Sequence, residues 1–167
     1  MPIIASDIKI YLSGGAANAD PNAALGGAIS SVELVDDTIN NLFALAPASE
    51  ANAGSVKYRA VFIKNTHGTL TLTAPKVYID ANSTSATTNV KIALADETGS
   101  PIETVGDEDT APTGPSFSNA DGYANGLSLG DLAPGETKAI WLEYTIDALT
   151  EAVNDELTIG VKGETEA

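Results

Sequence analysis

The chain holds one histidine, no cysteine and 23 Asp and Glu residues among 167, so any chemistry must be built from His67, from carboxylates or from hydroxyl groups. His67 sits in N-T-H-G-T-L-T-L-T, residues 65–73. As a general base it would need a serine and a carboxylate converging on it, and as a metal ligand it would need further imidazoles or acids. The sequence has no G-x-S-x-G elbow and no second histidine. Placed before Gly68 and between two apolar runs, His67 suits a tight turn, where histidine is among the residues that tolerate unusual φ. Catalysis through His67 therefore ranks last among the alternatives, and the chain is expected not to be an enzyme. The missing cysteines remove thiolate zinc, iron–sulfur, disulfide and Cys-nucleophile chemistry together.

The carboxylates crowd D-E-T-G-S-P-I-E-T-V-G-D-E-D-T, residues 96–110, as Asp96, Glu97, Glu103, Asp107, Glu108 and Asp109. Oxygen-rich clusters suit calcium, which accepts six to eight oxygens in flexible geometry, but this spacing fits no recognised loop. S-N-A-D-G, 118–122, resembles the middle of an EF-hand loop, yet Phe117 stands where the first Asp belongs and Ser128 where the closing Glu belongs. A solvated anionic surface is the default, no cofactor or metal is expected, and calcium stays open as a stabilising addition. Asn82-Ser83-Thr84 fits the glycosylation pattern but reads as chance without a secretory signal. Gly14-Gly15 and Gly26-Gly27 lack the Gly-Lys-Ser/Thr ending of a phosphate loop and read as hinges.

What must position these residues is a set of strands. In K-A-I-W-L-E-Y-T-I, 138–146, Ile140, Leu142, Tyr144 and Ile146 alternate with Trp141, Glu143 and Thr145. Residues 55–64 place Tyr58, Ala60 and Phe62 opposite Arg59, Val61 and Ile63, apolar on both faces and hence central. Leu70 and Leu72 alternate with threonines until Pro75, which cannot donate to a ladder and predicts a bulge or an edge before Val77 and Ile79 resume. Val90, Ile92 and Leu94 mark another strand, as do Leu157, Ile159 and Val161, and Ile8, Ile10 and Leu12; Val32 with Leu34 is a weaker case. A-P-G-E, 133–136, suits a type II turn into the Trp141 strand. Asp147 could cap a short helix over 147–155. Trp141 is expected to pack between sheets as the largest core anchor. The expected architecture is thus an all-β, antiparallel Ig-like β-sandwich, with a barrel as the alternative: an extended N-terminal arm over 1–30, then one domain over 31–167 with a long loop at 96–126. Loops of that length usually either bind something or lack order.

Charge narrows the partners. With 8 Lys and Arg against 23 acids, a formal net charge of −15, nucleic acid and anionic membrane would be repelled. The opening M-P-I-I-A-S-D-I-K-I lacks a basic leader and is broken by Asp7, which predicts a soluble, unsecreted product. The Gly- and Ala-rich arm has too few apolar side chains to fold alone, so Ile8, Ile10, Leu12, Leu25 and Ile29 are the expected protein interface, ordering against a neighbour.

The stretches 6–30 (S-D-I-K-I-Y-L-S-G-G-A-A-N-A-D-P-N-A-A-L-G-G-A-I-S), 58–72 (Y-R-A-V-F-I-K-N-T-H-G-T-L-T-L), 107–118 (D-E-D-T-A-P-T-G-P-S-F-S) and 132–141 (L-A-P-G-E-T-K-A-I-W) together resemble a family of small virion structural proteins of tailed bacteriophages. The resemblance spans nearly the whole chain, and Arg59 fits it, whereas the acidity of 96–109 departs from it. It implies a capsid decoration or cement protein, made in the host cytoplasm and seated on the capsid surface. The implied partners are the major capsid protein and further copies of this chain, with a homotrimer at local three-fold positions as the expected arrangement. No catalytic residue comes with it. The alternative is a tail, collar or fibre-associated adhesion module that binds host glycan, with Trp141, Tyr123 and Asn125 on its surface.

Overall fold

Period-two alternation resolves into nine strands in the computed structural model, which describes residues 2–149, 151 and 156–165. They are β1 (Ile8–Leu12), β2 (Gly26–Gly27), β3 (Ser55–Asn65), β4 (Leu72–Ala81), β5 (Thr88–Leu94), β6 (Ile102–Thr104), β7 (Leu127–Ser128), β8 (Thr137–Ile146) and β9 (Thr158–Thr165). One helix, α1 (Ala48–Ala53), precedes β3. The larger sheet has the order β1-β3-β8-β5, a second has β7-β4-β9, and β2 with β6 makes a small ribbon. Every ladder between these strands is antiparallel. The all-β, antiparallel expectation therefore holds.

β3 lies inside its sheet and is buried from Lys57 to Ile63, as its apolar faces require. One face of the large sheet, carrying Val61, Ile63, Val90, Ile92, Ile140 and Leu142, joins Leu72, Val77 and Ile79 of β4 in the main core. The other face carries Tyr58, Ala60, Phe62, Ala139 and Trp141 and is covered by Ile102, Val105, Leu25, Ile29 and Phe117. Trp141 is fully buried, but not between the two larger sheets as expected. It alternates with Ile140 and Leu142 and so points the opposite way, under the ribbon. Its cross-strand neighbours are Ala60 on β3 and Ala93 on β5, whose small side chains leave room for the indole.

Three sequence expectations need correction. Residues 2–30 do not form the extended arm expected over 1–30: β1 pairs with β3 from Ile8↔Asn65 to Leu12↔Val61, and Leu12 and Ala24 are buried. Composition undercounted this segment because backbone pairing, not apolar mass, holds it: Ala60 N donates to Ala24 O at 2.8 Å and Gly15 N to Ala28 O at 2.9 Å. Second, residues 96–126 are no free loop, since β6 pairs with β2 and Ile102, Val105 and Ala120 are buried. Third, Val32 and Leu34 form no strand; residues 30–34 instead run along β1, with Leu12 N donating to Val32 O and Leu34 N to Ile10 O. The helix expected over 147–155 falls for the most part outside the described residues.

Candidate interaction surface

A groove of about 410 Å³ lies where β1 and β9 face each other across the edge of the core. Ile8 and Ile10 of β1, Ile159 and Val161 of β9, Leu72 of β4 and Leu34 give it an apolar floor. Alternation puts them there: the odd-numbered residues of β9 turn towards the core, Val161 opposite Val77 and Ile159 opposite Ile79. Ile159 and Val161 remain only partly buried at the sheet margin. Glu33 and Asp36 lie on the rim with Lys9. Lys9 Nζ bonds Glu33 Oε2 at 2.7 Å, and that hydrogen bond together with the Glu33 charge raises the Lys9 pKa above its ordinary value. Asp36 keeps an exposed position.

The five expected interface residues part company in the structure. Ile8 and Ile10 reach the groove, Leu12 is buried in the main core, and Leu25 and Ile29 pack on the far side of the sheet against the Trp141 cluster. They do not form one surface: Leu12 shares the face of Ile8 and Ile10 but lies deeper in the core, and the turn after β1 carries Leu25 and Ile29 to the other side of the sheet. Ile159, Val161, Leu72 and Leu34 were missed as groove residues. Their alternation was readable as core, but only the packing of β9 at an edge shows that this part of the core is open.

His67 serves the fold. Its Nδ1 accepts hydrogen bonds from Thr69 N at 3.2 Å and Leu70 N at 3.0 Å, closing the turn between β3 and β4. The acidic segment is likewise used from within. Glu97 Oε1 accepts from Glu103 N, Glu103 Oε2 from Thr113 N, and Asp107 Oδ1 from Thr110 Oγ1, each at 2.7 Å. Among the described residues no three His, Asp or Glu side chains gather in a way that could hold a metal ion.

Glu108 departs most from the expected solvated surface. Its carboxylate takes hydrogen bonds from Arg59 and Lys57 of β3, whose side chains are 0% and 4% exposed, while Lys57 also reaches Glu50 of α1 at 2.7 Å. The Arg59 guanidinium completes its set with Leu42 O, Tyr58 O and Asn22 Oδ1 and lies 5.5 Å from the Phe43 ring centre. Burial pulls the Glu108 pKa upward, but hydrogen bonds and positive charge from Arg59 and Lys57 outweigh it and hold the group below its ordinary value. Tyr58 N donates to Glu108 O at 2.7 Å, so backbone and side chain together pin the acidic segment to the part of β3 that extends beyond β1.

The glycan residues are also separated. Trp141 is buried beneath the ribbon, whereas Tyr123 is exposed on the β7-β4-β9 sheet, edge-on to Tyr78, with Lys76 and Lys162 over its ring at 5.3 and 5.1 Å. Asn125 Nδ2 is engaged with Asp121 O at 3.0 Å. Compared with family models, with curated proteins and with solved structures, the chain matches none.

Proposed function

We propose that this chain is a virion structural protein of a tailed bacteriophage that decorates the outer head and stabilises the shell by binding its subunits, with no catalytic step. The observation that carries the docking part is the groove between β1 and β9, an apolar floor with a charged rim, beside a strand whose named strand partner among the described residues is β4 alone. An apolar floor bounded by polar and charged residues is what a protein-binding site offers. The virion setting comes from the sequence resemblance: the head surface, assembly from the host cytoplasm, and a homotrimer at local three-fold positions of the major capsid protein. We read the two facing sheets as an Ig-like sandwich, with the β2–β6 ribbon as an added cover.

Binding many copies to a symmetric shell lets modest contacts hold through avidity, so the role needs no deep pocket. The engagement of His67 and of the acidic segment in internal hydrogen bonds supports a structural part over a catalytic one. Burial of Trp141 weighs against the glycan-binding alternative in a tail, collar or fibre. The test is reconstitution: phage heads made without this chain are mixed with the purified protein and sedimented. Co-sedimentation to saturation, with a higher temperature of genome release, is expected. Protein left wholly in the supernatant contradicts the proposal.

A further inference from the structure

We propose that β9 is an acceptor edge: an extended segment of a different protein pairs with it as a further strand, sets alternate apolar side chains into the groove, and carries Lys or Arg to the acidic rim. This rests on the docking role above and adds its mode and the chemistry of its partner.

The sheet edges differ in how they are closed. The outer edge of β1 is covered by residues 30–34, with Ser30 N donating to Leu12 O and Leu34 N to Ile10 O, both at 2.8 Å. The outer edge of β5 is covered at Ile92, which exchanges bonds with Ser118 at 2.9 and 3.0 Å. β7 is two residues long. β9 runs for eight residues and, among the described residues, its named strand partner is β4 alone. Natural sheets cover, shorten or interrupt their edges because an open one templates pairing. Among the described residues that treatment is given to β1, β5 and β7 and not to β9.

The open edge and the groove coincide. Ile159, Val161, Gly163 and Thr165 of β9 all line it, facing Ile8 and Ile10 across it. A strand laid beside β9 would take main-chain hydrogen bonds from the edge and drop every second side chain onto the apolar floor, the combination on which strand addition depends. A helix could use the floor but would leave the edge amides unpaired.

Charge selects among occupants. The rim residues Glu33 and Asp36 outnumber Lys9, which is already paired to Glu33. A second copy pairing through this same edge would bring its own Glu33 and Asp36 against this rim, and like charges brought together at an interface oppose binding there. A segment alternating apolar with basic residues meets both the floor and the rim.

The probe is a ten-residue peptide alternating valine or isoleucine with lysine, added to the full chain and followed by amide hydrogen exchange and titration. The expected result is at least tenfold slower exchange at those amides of residues 158–165 that point away from β4. Binding should be at least tenfold weaker when glutamate replaces lysine in the peptide, and lost when alternate peptide nitrogens are methylated. Asp36→Asn and Glu33→Gln, surface changes that leave the core intact, should each weaken the lysine peptide severalfold. The proposal is overturned if the β9 amides stay unprotected, or if the lysine and glutamate peptides bind alike. It is overturned equally if the protein alone protects β9 in a concentration-dependent way, which would make a second copy the occupant. Peptide binding without head binding would refute the virion setting alone, whereas head binding with β9 unprotected would refute the strand mode alone.

Discussion

Replacing Glu108 by alanine removes a carboxylate that faces two almost fully buried cations, and the structure sets the scale of the loss. Arg59 would keep Leu42 O at 3.2 Å, Tyr58 O at 2.9 Å and Asn22 Oδ1 at 3.3 Å, all neutral acceptors, while Lys57 would keep Glu50. Breaking a buried ion pair from one side costs about 3–5 kcal/mol because the remaining charge stays desolvated. The Glu108 side chain is 33% exposed, so water can reach the vacated position and part of that cost is screened. A loss of about 2–4 kcal/mol is the result. With a urea dependence of roughly 2 kcal/mol per molar, the midpoint of unfolding falls by about 1–2 M. Asp109→Ala, one residue on and exposed, is the control and should move stability by no more than about 0.5 kcal/mol. Equal midpoints for the two variants would refute the assignment of Glu108 as the counter-charge. The double variant Arg59→Met with Glu108→Gln should recover part of the loss, since it no longer strands a cation.

The same group gives a pH dependence. A carboxyl whose folded pKa is lowered stabilises above its unfolded value and loses that contribution as pH falls, so the stability gap between the native protein and Glu108→Gln should close below pH 4.5; a gap unchanged down to pH 2 would contradict it. Trp141→Ala should cost about 3–5 kcal/mol in urea unfolding, and acrylamide should quench the native indole weakly, since the side chain is fully buried. His67→Ala should cost roughly 1 kcal/mol, because the Thr69 and Leu70 amides lose their acceptor but can turn to water. Gly26→Ala should lower the melting temperature, since φ is +96° and a Cβ there would run into the carbonyl of Glu103.

The residues with two-residue alternation were legible: the bounds of β3, β5 and β8 lie within a residue or so of where side-chain period placed them. Backbone exceptions with a chemical marker were legible too. Pro75 sits in the bulge where the β4–β9 register shifts between Thr73 and Lys76, and Gly135 takes φ +79° in the turn that Glu136 N closes on Ala133 O. What escaped was everything decided by pairing at a distance. Gly26 and Gly27 carry no side-chain signal, yet they face Thr104 and Ile102 and build the cover over Trp141. Helix α1 has six residues and no buried face, so its sequence shows no apolar stripe. Glu108 looked like its acidic neighbours because its distinction lies in the cations opposite it, 49 residues away at Arg59. The groove was half legible, through Ile8 and Ile10, because alternation tells which residues turn inward but not where the inside is left open.

The most direct measurement is a density map of the parent virion, resolved well enough to trace strands. The account predicts this chain on the outer head, with its β1–β9 groove against the shell, an added strand beside residues 158–165, and the acidic segment turned to solvent. A head without the chain, or one that seats it by another face with β9 bare, would contradict it.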